Sequence, residues 1–177
     1  MSPAAAPSYH RLDLMQHTDK ETPMEHFIEL EKIRQLKYRY FRALDRHDWA
    51  ALAGCLDPEL TTWLDSGKYS FDSRDAFIAG IRKLMDNATL LTKHQGHHPE
   101  IELIAADRAK GTWYLEDHVI DLANSWMLHG TAFYEDEYVK RDGEWRIART
   151  GYRRVFETVT APIPDSVKIT ANMFIPA

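Results

Sequence analysis

The stretch from residue 111 to residue 149, GTWYLEDHVIDLANSWMLHGTAFYEDEYVKRDGEWRIAR, decides the fold. Gly111, Trp113, Leu115, Asp117 and Val119 fall at every second position, so period-two alternation puts them on one face of a long strand. A loop at Asp121–Ser125 leads to a second strand from about Trp126 to Lys140. Arg141-Asp142-Gly143 then reads as a hairpin turn, because Asp-Gly supplies the positive φ such turns need. Trp145, Ile147 and Arg149 open a last strand expected to reach Val159. Just upstream, Ile101 and Leu103 alternate with polar residues, and Ala105-Ala106-Asp107-Arg108 is a turn.

N-terminal to this hairpin series the period changes. Ile33, Leu36, Tyr40 and Leu44 recur at spacings of three and four, which predicts an amphipathic helix from Pro23 onward. Phe41 widens its apolar arc, and Asp45 lies about 40° beyond Phe41 on the helical wheel, at the border of the buried face. Asp48 is placed to cap a second short helix whose stripe is Trp49, Leu52 and Leu56. Leu60–Leu64 reads as a strand, Asp65-Ser66-Gly67-Lys68 as a turn, and Tyr69 and Phe71 as the returning arm. Asp72 or Ser73 would cap a third helix carrying Phe77, Ile78, Ile81 and Leu84. Residues 86–93 are expected to lead into the run His94-Gln95-Gly96-His97-His98, just before a strand. Helices followed by long hairpin strands define an α+β domain. The domain is expected over residues 24–160, with a flexible or packing arm at 1–23. A tail at 161–177 would dock its apolar end, Met173-Phe174-Ile175, on its own domain or on a neighbour.

Composition narrows the function classes. The chain has 177 residues, is 44% hydrophobic and carries a formal charge of −5, so it can enclose a pocket and lacks the basic footprint of a nucleic-acid binder. No apolar run approaches the ~20 residues of a membrane span. The N-terminal residues lack the charged and apolar regions of a signal peptide. The lone Cys55 has no internal disulfide partner, and a reducing cytoplasm is the expected compartment. There is no Gly-rich phosphate loop, Gly-x-Ser-x-Gly elbow or Cys-x-x-Cys, and no cofactor is expected. His94, His97 and His98 come without a cysteine pattern, and no metal is expected on them.

The chemistry-bearing candidates each have a plainer reading. Asp45 is a general-base partner or a simple helix-end carboxylate. Asp117 shares its strand face with Trp113, Leu115 and Val119, so it is either a buried, paired carboxylate or a mark of the solvent side. Tyr40 is a core tyrosine or a phenol that serves a leaving oxygen. His118 falls out of phase with the Trp113 face and is expected to be exposed. His129, in phase with Thr131 and Phe133, could line a pocket or sit in the core. Arg149 and Arg153, in phase with Trp145 and Ile147, enter a pocket or make surface ion pairs.

Taken together, Ile33-x-x-Leu36-x-x-x-Tyr40-x-x-x-x-Asp45, His94-x-Gly96, Ala106-Asp107-Arg108-Ala109-x-Gly111 and Tyr138-x-x-Arg141-Asp142-Gly143-x-Trp145 resemble the SnoaL-like branch of the nuclear transport factor 2-like superfamily. The resemblance spans roughly residues 25–158. It is nearest to a group of cofactor-free lyases that includes scytalone dehydratase, lindane dehydrochlorinase and bile-acid 7α-dehydratase. It implies a cone-shaped α+β barrel, with a strongly curved, mostly antiparallel sheet wrapped by N-terminal helices around a pocket.

It further implies that His94 is the base and Asp45 its orienting partner, with Tyr40 and Asp117 completing the catalytic set. Arg149, Trp113, His129 and Phe41 are the expected substrate contacts. The dehydrochlorinase has lysine at the Tyr40 position, so tyrosine here points to loss of water from a hydrophobic ring alcohol. Its pocket arginine aligns with Thr150, beside Arg149. An isomerase or cyclase using the same pocket, and a non-catalytic binding or scaffolding protein, are the alternatives. The related lyases are trimers, so a homotrimer is expected, with a dimer as runner-up. Its outer face is expected to carry Tyr114, Ala132, Tyr134, Tyr138 and Tyr152.

Overall fold

The computed structural model describes residues 22–175. Residues 1–21, most of the expected N-terminal arm, lie outside the described part. Helix α1 (Pro23–Asp45) starts on a capping box: Thr22 Oγ1 accepts from the Glu25 N–H at 3.2 Å, and Glu25 Oε2 accepts from the Thr22 N–H at 2.7 Å. Pro23 fits the first turn because it has no N–H to leave unpaired. Helix α2 (Trp49–Gly54) is capped by Asp48, and α3 (Arg74–Met85) by Ser73. The strands are β1 (Leu56–Trp63), β2 (Leu90–Ala105), β3 (Arg108–Asp121), β4 (Trp126–Arg141) and β5 (Glu144–Thr160). Leu56, expected on the α2 stripe, instead opens β1. The histidine run, expected ahead of a strand, lies within β2.

The strands form one five-stranded sheet in the order β1-β5-β4-β3-β2. The three hairpins are antiparallel, and only β1 runs parallel to its neighbour β5. The sheet curves without closing, so β1 and β2 are free edges, and α1 packs along β2. The Arg-Asp-Gly-x-Trp hairpin pins the far end. Asp142 and Gly143 both take positive φ, Arg141 forks onto Asp57 at 2.6 and 3.2 Å, and Trp145 Nε1 donates to Glu29 on α1 at 2.6 Å. Glu29 also accepts from Lys140 at 2.7 Å and Lys32 at 2.8 Å. Burial works against its charge, but these donors outweigh it and pull its pKa down to about 2.

The core fills the space between α1, α2, α3 and the concave face. Ile33, Leu36, Leu52, Leu60, Trp113 and Ile147 are all fully buried. At the narrow end it encloses an ion pair. Lys37 Nζ lies 2.7 Å from Asp136 Oδ2 and 3.7 Å from the centre of the Tyr134 ring, and it is completely buried. Asp136 also accepts from Tyr138 at 2.8 Å and Thr150 at 2.7 Å, and Tyr138 accepts from Trp113 Nε1 at 2.8 Å. Burial lowers the Lys37 pKa, and Asp136 opposes that shift. Both Asp136 oxygens are met by hydroxyl donors, whereas Lys37 Nζ has, among the described residues, only the Asp136 ion pair and the faces of the Tyr134, Tyr40 and Phe41 rings.

Two irregularities in β5 decide which of its side chains face the core. Tyr138 pairs with Ile147 but Glu137 with Arg149, so Ala148 is an extra residue. Ala132 pairs with Arg154 but Thr131 with Phe156, so Val155 is a second. Each bulge inverts the alternation and bends the strand. Trp145 and Ile147 point inward, then Thr150, Tyr152 and Arg154, then Glu157. Beyond β5 the tail runs over its own domain. Ile163 N–H bonds to Ser125, Asn172 Nδ2 donates to the Ala88 carbonyl at 2.9 Å, and Phe174 stacks on His47 with centroids 4.3 Å apart. Among the described residues no helix is long and apolar enough to cross a membrane.

Candidate active site

Asp45 ends α1, where a carboxylate faces the negative end of the helix dipole. What compensates it comes from β2. His94 Nδ1 lies 2.6 Å from Asp45 Oδ1, the His94 backbone N–H donates to Oδ2 at 2.8 Å, and the Thr92 hydroxyl donates to Oδ1 at 2.9 Å. A carboxylate is an acceptor only, so this arrangement selects the tautomer with the proton on Nδ1 and leaves the Nε2 lone pair free. Gly96 makes room for the clamp. A Cβ there would come 2.5 Å from the Phe41 ring, which lies parallel to the His94 ring at a 6.4 Å centroid separation.

His94 forms part of the wall of a cavity of about 420 Å³. Leu44, Leu64, Phe77, Ile81, Val119 and Leu128 supply apolar wall, and Tyr40, Thr92, Asp117, Tyr152 and Arg154 supply polar groups. Arg154 Nη1 and Nη2 lie 2.5 and 2.9 Å from the two Asp117 oxygens, a bidentate pair that satisfies a carboxylate that is 3% exposed. Gly130 permits it, because a Cβ there would fall on the Arg154 guanidinium and 2.7 Å from Asp117 Oδ1. Burial works against the Arg154 charge, but Asp117 more than offsets this and its pKa rises. Burial, helped by Asp136, raises the Tyr40 pKa, so the phenol keeps its proton and remains a donor. Tyr152 is pushed up to about 12 by burial, with Arg154 pulling the other way.

The structure thus brings His94, Asp45, Tyr40 and Asp117 to one end of the molecule. His94, Tyr40 and Asp117 line the cavity, and Asp45 stands behind His94 on a groove along the β2 edge. The four expected substrate contacts lie elsewhere. Trp113 is completely buried and committed to Tyr138. Phe41 faces the β2-edge groove. His129 is on the convex side of the sheet, its side chain 47% exposed. Arg149 points outward to Glu137 at 3.3 Å, because the bulge at Ala148 inverts the phase read from Trp145 and Ile147. The same inversion turns Arg154 inward, which the strand alternation alone did not indicate.

A sequence profile of the SnoaL-like domain matches residues 26–151, and the chain belongs to that family. Among solved structures, a hexachlorocyclohexane dehydrochlorinase superposes with a TM-score of 0.72 at 17% identity, covering 82% of this chain and 100% of that one. A putative scytalone dehydratase from Novosphingobium aromaticivorans gives 0.70 at 18% identity, covering 81% and 97%. A protein of unknown function from Mycobacterium tuberculosis gives 0.63 at 23% identity, covering 75% and 76%. At these identities the likeness is one of fold: a SnoaL-like, nuclear transport factor 2-like cone.

Proposed function

We propose that the chain is a cofactor-independent lyase of the dehydratase type, acting on a hydrophobic ring alcohol in the internal cavity. The observation that carries this reading is the 2.6 Å contact between Asp45 and His94 Nδ1, with the ring at the cavity wall. In this reading His94 Nε2 takes a proton from the carbon next to the carbinol carbon. The C–H electron pair forms the new double bond, and the carbon–oxygen bond breaks. Asp45 holds the ring and stabilises the imidazolium. Tyr40 donates to the departing oxygen, and Arg154, with Asp117 fixing it, offers a cation beside the developing negative charge. The imidazolium proton leaves with the hydroxide as water, which restores the neutral base. A positioned general base contributes about 10²–10⁴-fold, and the apolar walls supply binding for a ring system.

The test is product analysis by mass spectrometry on a panel of cyclic secondary and tertiary alcohols. Loss of water with wild type and none with His94→Ala supports the reading. A product of unchanged mass would replace it with an isomerase using the same base. No turnover across the panel, with ring compounds bound unaltered, would make the cavity a binding site.

A further inference from the structure

The convex face of the sheet carries a second group of histidines. His118 on β3 and His129 on β4 are directly paired across the strands, with ring centroids 4.2 Å apart. Glu116, two residues before His118, projects from the same face. Both Nε2 atoms face one oxygen of Glu116, at 3.9 Å for His118 and 3.7 Å for His129. These separations are too long for hydrogen bonds, and neither imidazole has a hydrogen-bond partner among the described residues. His97 on β2 approaches the other Glu116 oxygen with its Nε2 at 4.0 Å.

We propose that Glu116, His118 and His129 form a binding site for a divalent transition-metal ion of the Zn²⁺, Co²⁺ or Ni²⁺ class. One donor atom from each of the three residues lies within 4.8 Å of the others. Metal–nitrogen and metal–oxygen bonds of about 2.0–2.2 Å at tetrahedral angles put donors about 3.3 Å apart, so small side-chain rotations close the site. Two imidazoles and one carboxylate suit a borderline-soft cation over Ca²⁺ or Mg²⁺, which prefer all-oxygen shells. Lys93 Nζ stands 3.5 Å from Glu116 and competes for it, which keeps the affinity moderate.

The site is separate from the cavity. Asp117, between two of the donors, points to the opposite side of the sheet. A metal here would tie β3 to β4 behind the Asp117–Arg154 pair and stabilise the fold without entering the cavity chemistry.

The test is titration of the full chain, purified without a histidine tag. Co²⁺ binding is followed by visible absorption and Zn²⁺ binding by calorimetry, with the melting temperature measured alongside. The expected result is one saturable equivalent per chain, weaker at pH 5.5 than at pH 7.5, and a Zn²⁺-dependent rise in melting temperature. His118→Ala, His129→Ala and Glu116→Gln should each weaken binding at least about tenfold. His94→Ala should leave it unchanged. All three substituted side chains are partly exposed, and circular dichroism checks that each variant is folded. The absence of a saturable equivalent, or unchanged affinity in both histidine variants, overturns the assignment.

Discussion

Asp45→Asn tests the dyad most directly, because Asp45 receives three hydrogen bonds and an amide cannot accept them all. If the amide oxygen occupies the Oδ1 position, it keeps the Nδ1–H and Thr92 bonds, but its NH₂ then meets the His94 backbone N–H. If the amide is flipped, NH₂ faces Nδ1, and the ring must carry its proton on Nε2. The first arrangement leaves a donor opposing a donor, and the second removes the base. Asp→Asn in a comparable Asp–His couple costs about 10⁴ in kcat. A loss of about 10³–10⁴-fold is expected here, equivalent to about 4–5.5 kcal/mol of transition-state stabilisation. Thr92→Val, which removes one neutral donor, should cost about tenfold or less. The tautomer can be read without any substrate from ¹⁵N chemical shifts of the histidine ring. Wild type should show protonated Nδ1 and bare Nε2, and Asp45→Asn should shift the population toward Nε2–H. A wild-type ring already protonated on Nε2 alone would refute the reasoning, as would an Asn variant keeping more than a tenth of the activity.

Further outcomes are expected elsewhere in the molecule. Arg154→Met should destabilise the fold by about 3–5 kcal/mol in urea denaturation, since it strands a buried carboxylate, and the Asp117→Leu/Arg154→Met double variant should recover much of that loss. Gly130→Ala should cost about 1–3 kcal/mol and lower turnover, because its Cβ displaces the Arg154 guanidinium. Glu29→Gln should lower stability at pH 7 by about 1–3 kcal/mol. The depressed Glu29 pKa makes that contribution present above the ordinary carboxylate range, so the gap to wild type should close as pH falls from 4.5 toward about 2. Light scattering should give a multiple of the 20.6 kDa chain mass, with a trimer expected; a 20.6 kDa species would reject it.

The helices and hairpins were legible because each follows from a local rule. Ile33, Leu36, Tyr40 and Leu44 are all buried on one arc, and Asp142-Gly143 turns where the positive-φ requirement put it. What failed depended on register. Alternation puts Tyr114 and Ala132 on a common outer face, yet Tyr114 pairs with Phe133 while Trp113 pairs with Tyr134. Ala132, Tyr134 and Tyr138 therefore belong inside with Trp113, Tyr152 follows them past the Ala148 bulge, and Tyr114 and Phe133 face out. Within one strand, alternation says which residues share a face, but only the pairing says which face that is. Arg154 was hidden for a second reason. Two bulges in β5 leave no continuous alternation from Trp145 to Glu157, and neither has a glycine or proline to mark it. Lys37 was within reach: it falls four residues after Ile33 and three before Tyr40, on the same arc, and Asp136 lies in phase with Tyr134 and Tyr138.

The bulges also explain how one sheet holds two buried ion pairs without merging them. Between Ala148 and Val155 the inward residues of β5 are Thr150, Tyr152 and Arg154, in that order. Thr150 completes the shell of Asp136 at the narrow end, and Arg154 completes that of Asp117 at the cavity. The Tyr152 ring lies between them, against Tyr134 at 5.3 Å and under the Arg154 guanidinium at 5.0 Å. Had β5 kept regular alternation from Ile147, Arg149 would have taken the place of Thr150 beside Asp136, Gly151 that of Tyr152, and Arg153 that of Arg154, so the ring that divides the two pairs would be lost. The second bulge follows Arg154 directly. It resets the alternation so that Glu157 also faces inward and flanks Arg154, with 3.1 Å between Oε2 and Nε. The polar end of the cavity is therefore fixed by backbone irregularity in one strand, while its base is fixed by a helix end meeting an edge strand.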